Sequence, residues 1–304
     1  MKYTGNLLIT AIERNGSFPT SQNLLSNNNL LDFCNEELQI TIAPEIMALQ
    51  QNYFTDHSDI ALTASTEVYS MPSSAVGWGL QDIGHVDENG ENYRTLPRLN
   101  IENRDIHNND RETNEPEGFY LLGNGKFEVS PQMSSSPTGS VRVWYSRRQN
   151  QIVKTASCGL ISSVTATDTY YVCTVNAIPN NDSGVDLISG TSPFNVLASG
   201  ATPVVSGFNL SLLITDCDRA PVAGDYVAPF GKTPIPNLPE TYHPIIAQAA
   251  TVRALESIGD LKGLSAAQST LQRMISYMKR TLSNRVSGAP VKIVAKSHFL
   301  NYMR

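Results

Sequence analysis

A chain of 304 residues, 40% of them hydrophobic, has enough apolar material for a real core, and its length falls between one large domain and two small ones. Only 16% of the residues are charged, and Asn, Ser and Thr make up the difference, which suits a protein much of whose outside is covered by partners. No stretch approaches the ~20 apolar residues of a membrane helix. The opening MKYTGNLLITAIERNG has too short an apolar run, and no small-residue cleavage site, for a signal peptide. The expectation is a protein made in a cytoplasm, with no membrane anchor.

The net charge of −6 is unevenly spread. From Lys262 onward there are eight Lys and Arg and no Asp or Glu, leaving 14 basic against 28 acidic residues for the rest of the chain. Such asymmetry predicts an acidic protein surface or nucleic acid as partner of the end segment. A helix C-terminus followed by a solvated basic tail gives the same bias.

In chain order, residues 23–54 read as helical. Leu24, Leu25, Leu30, Leu31, Cys34 and Leu38 recur at helical spacings. Pro44 suits a first helical turn and is followed by Ile46, Met47, Leu49, Tyr53 and Phe54, so two short helices are expected, broken near 42–44. Residues 59–238 change character: runs rich in Val, Ile, Tyr, Phe and Thr alternate with Gly, Pro, Asn and Asp clusters. Strands are predicted at 67–71, 118–122, 141–146, 151–155, 160–164, 170–175, 208–214 and 226–228, as in an antiparallel sandwich or barrel. Asn124-Gly125 marks a hairpin turn. Residues 82–117 read as an acidic, exposed loop. Four prolines in 229–240 predict a stiff, extended linker.

Two helices come next. The first carries Tyr242, Ile245, Ile246, Ala249, Val252, Leu255 and Ile258 on one face and stops at Gly259. The second opens on a capping box of Ser265 and Gln268, carries Ala267, Leu271, Met274, Ile275, Met278 and Leu282, and ends at Gly288 and Pro290. Neither helical piece can bury its stripe alone. The expected fold is therefore α+β: a helical bundle formed from both termini (1–58 and 239–287), a large β-rich, sandwich- or barrel-like insertion (59–238) and an extended C-terminal arm (288–304). Leu31, Leu38, Ile46, Ile246, Ala249, Leu255, Leu271, Ile275 and Met278 are the expected bundle core.

Catalytic constellations do not emerge. His57, His85, His107, His243 and His298 fit no HExxH or paired-ligand spacing, and His243, beside Pro244 at a helix start, reads as a surface or capping residue. There is no GxSxG elbow and no phosphate loop ending in GK[ST]. Asp216 and Asp218, with Asp225 nearby, lack the further ligands of a calcium loop. Glu36 and Glu37, adjacent on a helix, point apart and are left to solvent or another subunit. Trp144-Tyr145 and Tyr170-Tyr171 could stack bases or sugars, but strand alternation sends one of each pair inward. Cys34, Cys158, Cys173 and Cys217 have neither metal nor redox spacing, so buried free thiols are expected. The reading is of a non-enzyme with no metal and no cofactor.

Several segments, in their order, resemble virion proteins of tailed bacteriophages. They are Leu7-Leu8 with Phe18-Pro19-Thr20, Glu36-Glu37-Leu38, IAPEI at 42–46, QQNYF at 50–54, YSMPSSAVG at 69–77, Leu96-Pro97-Arg98 and PEGFY at 116–120. Towards the C-terminus come GDYV at 224–227, TPIPNLPE at 233–240, His243-Pro244, QAATVRALE at 248–256, Gly259-Asp260 and LSNRVSGAPVKIV at 282–294. Together they look like a head-to-tail connector, or adaptor. The resemblance implies a homo-oligomeric ring, twelvefold in such proteins, in the virion neck. It implies contacts with the portal protein and with tail or nozzle proteins, and genomic DNA passing through the lumen without sequence-specific binding. The C-terminal arm would dock on the portal through Val291, Lys292, Ile293, Val294, Lys296, Phe299, Leu300 and Arg304. Alternatives are another neck, tail-tube or decoration protein of the virion, or a β-sandwich glycan-binding tail protein.

Overall fold

The computed structural model describes residues 2–18, 25–90, 92–103, 112–180 and 183–282. The fold is mixed α+β, with helices near both ends of the chain and strands between. Among the described residues no helix is long and apolar enough to cross a membrane.

The first helix, α1 (Gly5–Gly16), was not expected from the sequence. The Thr4 hydroxyl caps it by accepting the Leu7 N–H, and Leu8, Ile9, Ala11 and Ile12 bury one face. Helix α2 (Asn27–Glu37), capped by Ser26, runs through a π-helical segment (Leu38–Ile42) into α3 (Ala43–Leu49). The break expected near 42–44 is this wider turn. Pro44 has no N–H to offer the Ile40 carbonyl, and the Ala43 N–H bonds instead to the Leu38 carbonyl.

Near the other end, α4 (His243–Ile258) is stopped by Gly259, whose φ of 76° closes the helix on the Glu256 and Leu255 carbonyls. The final helix, α5 (Leu261–Leu282), begins four residues before Ser265. Its cap is Asp260, whose carboxylate accepts the Gly263 N–H at 3.1 Å, so the expected capping box at Ser265 and Gln268 falls inside the helix.

Helix α4 packs against α1, α2 and α5, and α3 packs against α5. Leu31, Leu38, Ile46, Ile246, Ala249, Leu271, Ile275 and Met278 share one hydrophobic cluster with Leu8 and Ile12 of α1. Leu255 is buried as well, outside that cluster. Ala247, Ala249, Ala250 and Ala254 keep α4 thin enough for neighbours on several sides.

The strands are β1 (Thr55–Ala61), β2 (Val68–Ser70), β3 (Ala75–Val86), β4 (Tyr93–Thr95), β5 (Glu112–Thr113), β6 (Gly118–Leu122), β7 (Lys126–Ser130), β8 (Gln132–Met133) and β9 (Ser140–Arg147). After them come β10 (Gln151–Ile152), β11 (Gly159–Ala166), β12 (Tyr170–Val175), β13 (Val185–Ile188), β14 (Val196–Ala201), β15 (Val204–Ser206), β16 (Asn209–Leu213), β17 (Tyr226–Pro229) and β18 (Lys232–Thr233). They build two separate cores. An antiparallel sheet of order β1-β9-β3-β4 and a smaller sheet of order β2-β7-β6 enclose Ile83, Phe127, Val129, Val141, Val143 and Tyr145. The β6–β7 turn takes positive φ at Asn124 and Gly125, as a tight hairpin requires.

The second core, around Ile161, Cys173, Val185, Leu187, Leu210 and Leu212, lies under a seven-stranded antiparallel sheet of order β14-β13-β17-β11-β12-β16-β15. That sheet curls at β11, whose start pairs with β17 while the rest pairs with β12 across a register shift between Ile161 and Ser163.

Further expectations need correction. Part of the stretch read as an exposed acidic loop is core: Ile83, His85 and Val86 of β3, and Leu96, are buried. A buried strand needs few apolar residues once its neighbours satisfy the backbone, and the His85 ring bonds the Thr138 carbonyl at 2.8 Å. Residues 104–111 lie outside the described residues.

The proline-rich stretch is not a free linker. Residues 233–236 are buried, β18 pairs in parallel with β10, and the Gly5 N–H donates to the Pro234 carbonyl at 2.9 Å. Asn35 of α2 clasps the same strand pair, accepting the Ile152 N–H at 2.7 Å and donating to its carbonyl at 3.1 Å. The prolines form a packed strap between helices and sheets.

That strap also changes His243, which is fully buried rather than on the surface. Its Nδ1 accepts the Tyr3 N–H at 3.0 Å and its Nε2 donates to the Leu238 carbonyl at 2.9 Å, so the ring is the neutral Nε2–H tautomer. Burial, only partly opposed by the Leu238 bond, holds its pKa below the ordinary 6.5. Below that pH the unfolded chain takes up a proton that the folded chain refuses. The stabilisation is therefore complete above pH 6.5 and is lost as the pH falls, by at most about 1.4 kcal/mol per pH unit. The melting temperature should fall between about pH 7.5 and 5.5. In His243→Gln, which keeps an acceptor and a donor, that fall should be shallower; an unchanged slope would remove His243 as its cause.

Candidate functional site

Two surfaces stand out. The first is the outer face of α5. Its inner face is Ala267, Leu271, Ile275, Met278 and Leu282; opposite lie Arg273, Tyr277 and Arg280, flanked by Gln268 and Gln272, all exposed. No carboxylate lies anywhere on this helix. Its cations are Lys262, Arg273, Lys279 and Arg280, of which Lys279 reaches Glu45 of α3 at 2.8 Å. At 22 residues the helix presents this face over about 33 Å. At Leu282, its last described residue, Gln50 donates to the carbonyl at 2.9 Å. Val291, Lys292, Ile293, Val294, Lys296, Phe299, Leu300 and Arg304, the expected docking arm, lie outside the described residues.

Glu36 and Glu37 also find a partner within the chain. Both approach Arg253 of α4, at 3.6 and 3.2 Å, and tie α2 to α4 within the chain. Arg253 and Glu36 are about half-exposed, so their contact adds little stability, while Glu37, 14% exposed, is the better shielded partner.

The second surface is a polar cleft between the two β cores. Asp56 and His57 of β1, Ser73 and Ser74, Tyr145 and Arg147 of β9, Ser199 of β14, Asp216, Asp218 and Phe230 line a cavity of about 410 Å³. A second cavity of about 330 Å³ shares Ser73, Ser74, Arg147 and Phe230 and adds Gln39, Arg148, Gln149, Asn150, Gln151 and Lys232. Arg147 spans the floor: it meets Asp56 at 2.9 Å, Ser199 Oγ at 3.0 Å and Asp186 at 3.6 Å. Asp186, fully buried, also accepts from Asn150 Nδ2 at 2.6 Å, the Gly200 N–H at 2.9 Å and the Gly231 N–H at 3.0 Å. Burial raises the Asp218 carboxyl's pKa and Asp56 adds to that, while His57 and Arg147 oppose it.

Asp225 is committed elsewhere. It accepts the Gly190 N–H at 2.7 Å and the Val222 N–H at 2.9 Å and pairs with Arg219 at 3.4 Å. Among the described residues no three His, Cys, Asp or Glu side chains are placed to hold a metal. Tyr145 points into its core and Trp144 away from it, beside His57 with ring centroids 4.7 Å apart, but Tyr170 and Tyr171 are both half-buried. Cys34, Cys158 and Cys173 are buried free thiols and Cys217 is half-buried. Burial pushes the Cys34 thiol up to about 12, far from a reactive thiolate.

The cleft draws on segments scattered from Gln39 to Lys232, so no local motif announces it. Compared with known proteins, the sequence matches no family model and no curated protein.

Proposed function

We propose that this chain is a head-to-tail adaptor of a tailed-bacteriophage virion, a structural protein rather than an enzyme. The observation that carries this reading is the outer face of α5, exposed and free of carboxylates, leading into a terminal segment that also has none. An otherwise acidic chain that gathers its cations on its last helix and C-terminal segment is suited to holding an anionic partner at that end.

In this reading the helices of both ends form the bundle that builds the ring. Each copy meets the next through unlike surfaces, and the ring, twelvefold as in proteins of this kind, closes between portal and tail. The arm, residues 288–304, docks on the portal. Genomic DNA passes through the lumen without base-specific contacts, and the β cores reach tail or nozzle proteins.

The test is a deletion of residues 291–304. Its apolar members, Ile293, Val294, Phe299 and Leu300, gain most when a partner covers them, and Lys292, Lys296 and Arg304 have no acidic neighbour in the segment. The truncated chain should keep the parental melting temperature and lose attachment to portal-bearing heads. Normal attachment, or a chain that simply unfolds, would contradict the docking arm.

A further inference from the structure

Lys2 and Tyr3, just ahead of α1, are tied to His243, to the β13–β14 connection and to β17. The Tyr3 N–H donates to His243 Nδ1 at 3.0 Å, and the Lys2 ammonium donates to the Gly190 carbonyl at 3.1 Å. That ammonium also lies 5.6 Å from the centroid of the Phe194 ring and 5.0 Å from that of Tyr226. The rings of Phe194 and Tyr3 stand 5.3 and 6.3 Å from the imidazole, centroid to centroid. The residues that follow are anchored in another way. Thr4 caps α1, the Gly5 N–H meets the Pro234 carbonyl, Gly5 leaves no room for a Cβ beside the Val153 carbonyl, and Leu8 and Ile12 are fully buried.

His243 supports this closure in one protonation state only. Its Nε2 already donates to the Leu238 carbonyl, so a proton added to the ring goes on Nδ1. There it faces the Tyr3 N–H, two donors with no acceptor between them. The charges acting on the ring are Glu240, which favours the proton, and the terminal ammonium, which opposes it; burial outweighs Glu240. Glu240 and Asp225 also act on Lys2. Residues 189–195 of the β13–β14 connection, β17, and α4 before Arg253 carry no further Lys, Arg, Asp or Glu, and Tyr3 and Tyr226 add only phenols.

We propose that Lys2 and Tyr3 form a proton-gated clasp, which opens on acidification while the helices and both β cores stay folded. Two half-buried side chains and two hydrogen bonds hold the clasp, against the fully buried stripe of α1. It is therefore the part that detaches first, as the least protected parts of a fold do. Thr4 is the hinge, because Gly5 stays seated against Val153 and Pro234. Opening gives His243 Nδ1 access to water and to a proton, so the closed form is favoured above the ring's ordinary 6.5 and loses ground below it. The ratio of open to closed rises by up to about tenfold between about pH 7.5 and 5.5. In the open form α1 is untied from the β13–β14 connection and β17. The proposal goes beyond the pH dependence of overall stability and rests on no part of the adaptor reading.

The experiment follows amide hydrogen exchange in the full chain by NMR, residue by residue, with each rate corrected for the intrinsic effect of pH. Protection of the Tyr3 amide should fall about fivefold to tenfold from about pH 7.5 to 5.5. The Ile12 amide, in the buried stripe of α1, should stay protected about a hundredfold or more beyond Tyr3 at both ends of that range. In His243→Gln the Tyr3 amide should change by less than about twofold over the same range. The parental pH series decides the matter by itself if that variant does not fold. Tyr3 protection that is independent of pH, a Tyr3 amide that exchanges no faster than Ile12, or an equal fall in a folded His243→Gln protein would each overturn the proposal. All of these are read on the isolated chain, so failure here leaves the adaptor reading standing.

Discussion

Ile246→Asp is expected to leave no soluble, cooperatively melting protein, whereas Tyr277→Asp should melt like the parent. Ile246 is fully buried on α4, the helix packed against α1, α2 and α5. A carboxylate there has no cation to pair with inside a cluster of aliphatic side chains, and burying it unpaired costs several kcal/mol. A typical domain has only about 5–15 kcal/mol to lose. Tyr277 sits on the opposite face of α5 and is 49% exposed, so the same new charge stays in water and changes stability by about 0.5 kcal/mol or less. Soluble yield and thermal melting of the two variants, side by side, decide the matter. An Ile246→Asp protein with the parental melt would mean that helices from the two ends of the chain do not share a core.

The second large effect belongs to Asp186. Its carboxylate gathers Asn150, Gly200 and Gly231, with Arg147 close by, and so joins the end of β9, strand β14 and the strap before β18 at one buried point. Asp186→Ala leaves the Gly200 and Gly231 N–H groups without this acceptor, while Asn150 keeps the Lys232 carbonyl and Arg147 keeps Asp56 and Ser199, and losing a buried hydrogen-bonded carboxylate of this kind costs about 3 kcal/mol. Asp186→Asn should lie between, since its oxygen can still accept while its amide faces donors. Urea unfolding of the three proteins measures the order. A midpoint for Asp186→Ala within error of the parent would show that this junction does not hold the β cores together.

The features legible in the sequence and those hidden from it divide along physical lines. The stripe of α5 and the stop at Gly259 are legible because helical periodicity and a left-handed cap are local properties, whereas α4 is buried on several sides and Ile258 of its expected stripe is exposed. Strands β6 and β12 are legible to the residue because β-branched and aromatic side chains cluster between turn formers. Helix α1 is masked because a short apolar run near the start reads first as a candidate leader segment. Strand β3 is masked by its glycines, which dilute the alternating pattern; at Gly84 the missing Cβ leaves room for the Tyr93 ring to lie across the strand.

Long-range partners hide the rest. His243 looks like a helix-start residue until Tyr3, at the far end of the sequence, and Leu238 close over it. The prolines of the strap predict extension correctly, but Ile235 and Leu238 are buried, and Leu238 packs with helical residues and Ile152 remote in sequence. The cleft is of the same kind: Asp56, Arg147, Gln149 and Phe230 acquire a shared meaning only once the two β cores are placed side by side.

The adaptor reading is tested most directly by cryo-electron microscopy of the intact particle neck. It predicts this chain as a closed twelvefold ring between portal and tail, with residues 291–304 seated on the portal and the outer face of α5 turned towards an anionic partner. A threefold or sixfold arrangement, or the chain found on the capsid surface or along the tail with no portal contact, would contradict it.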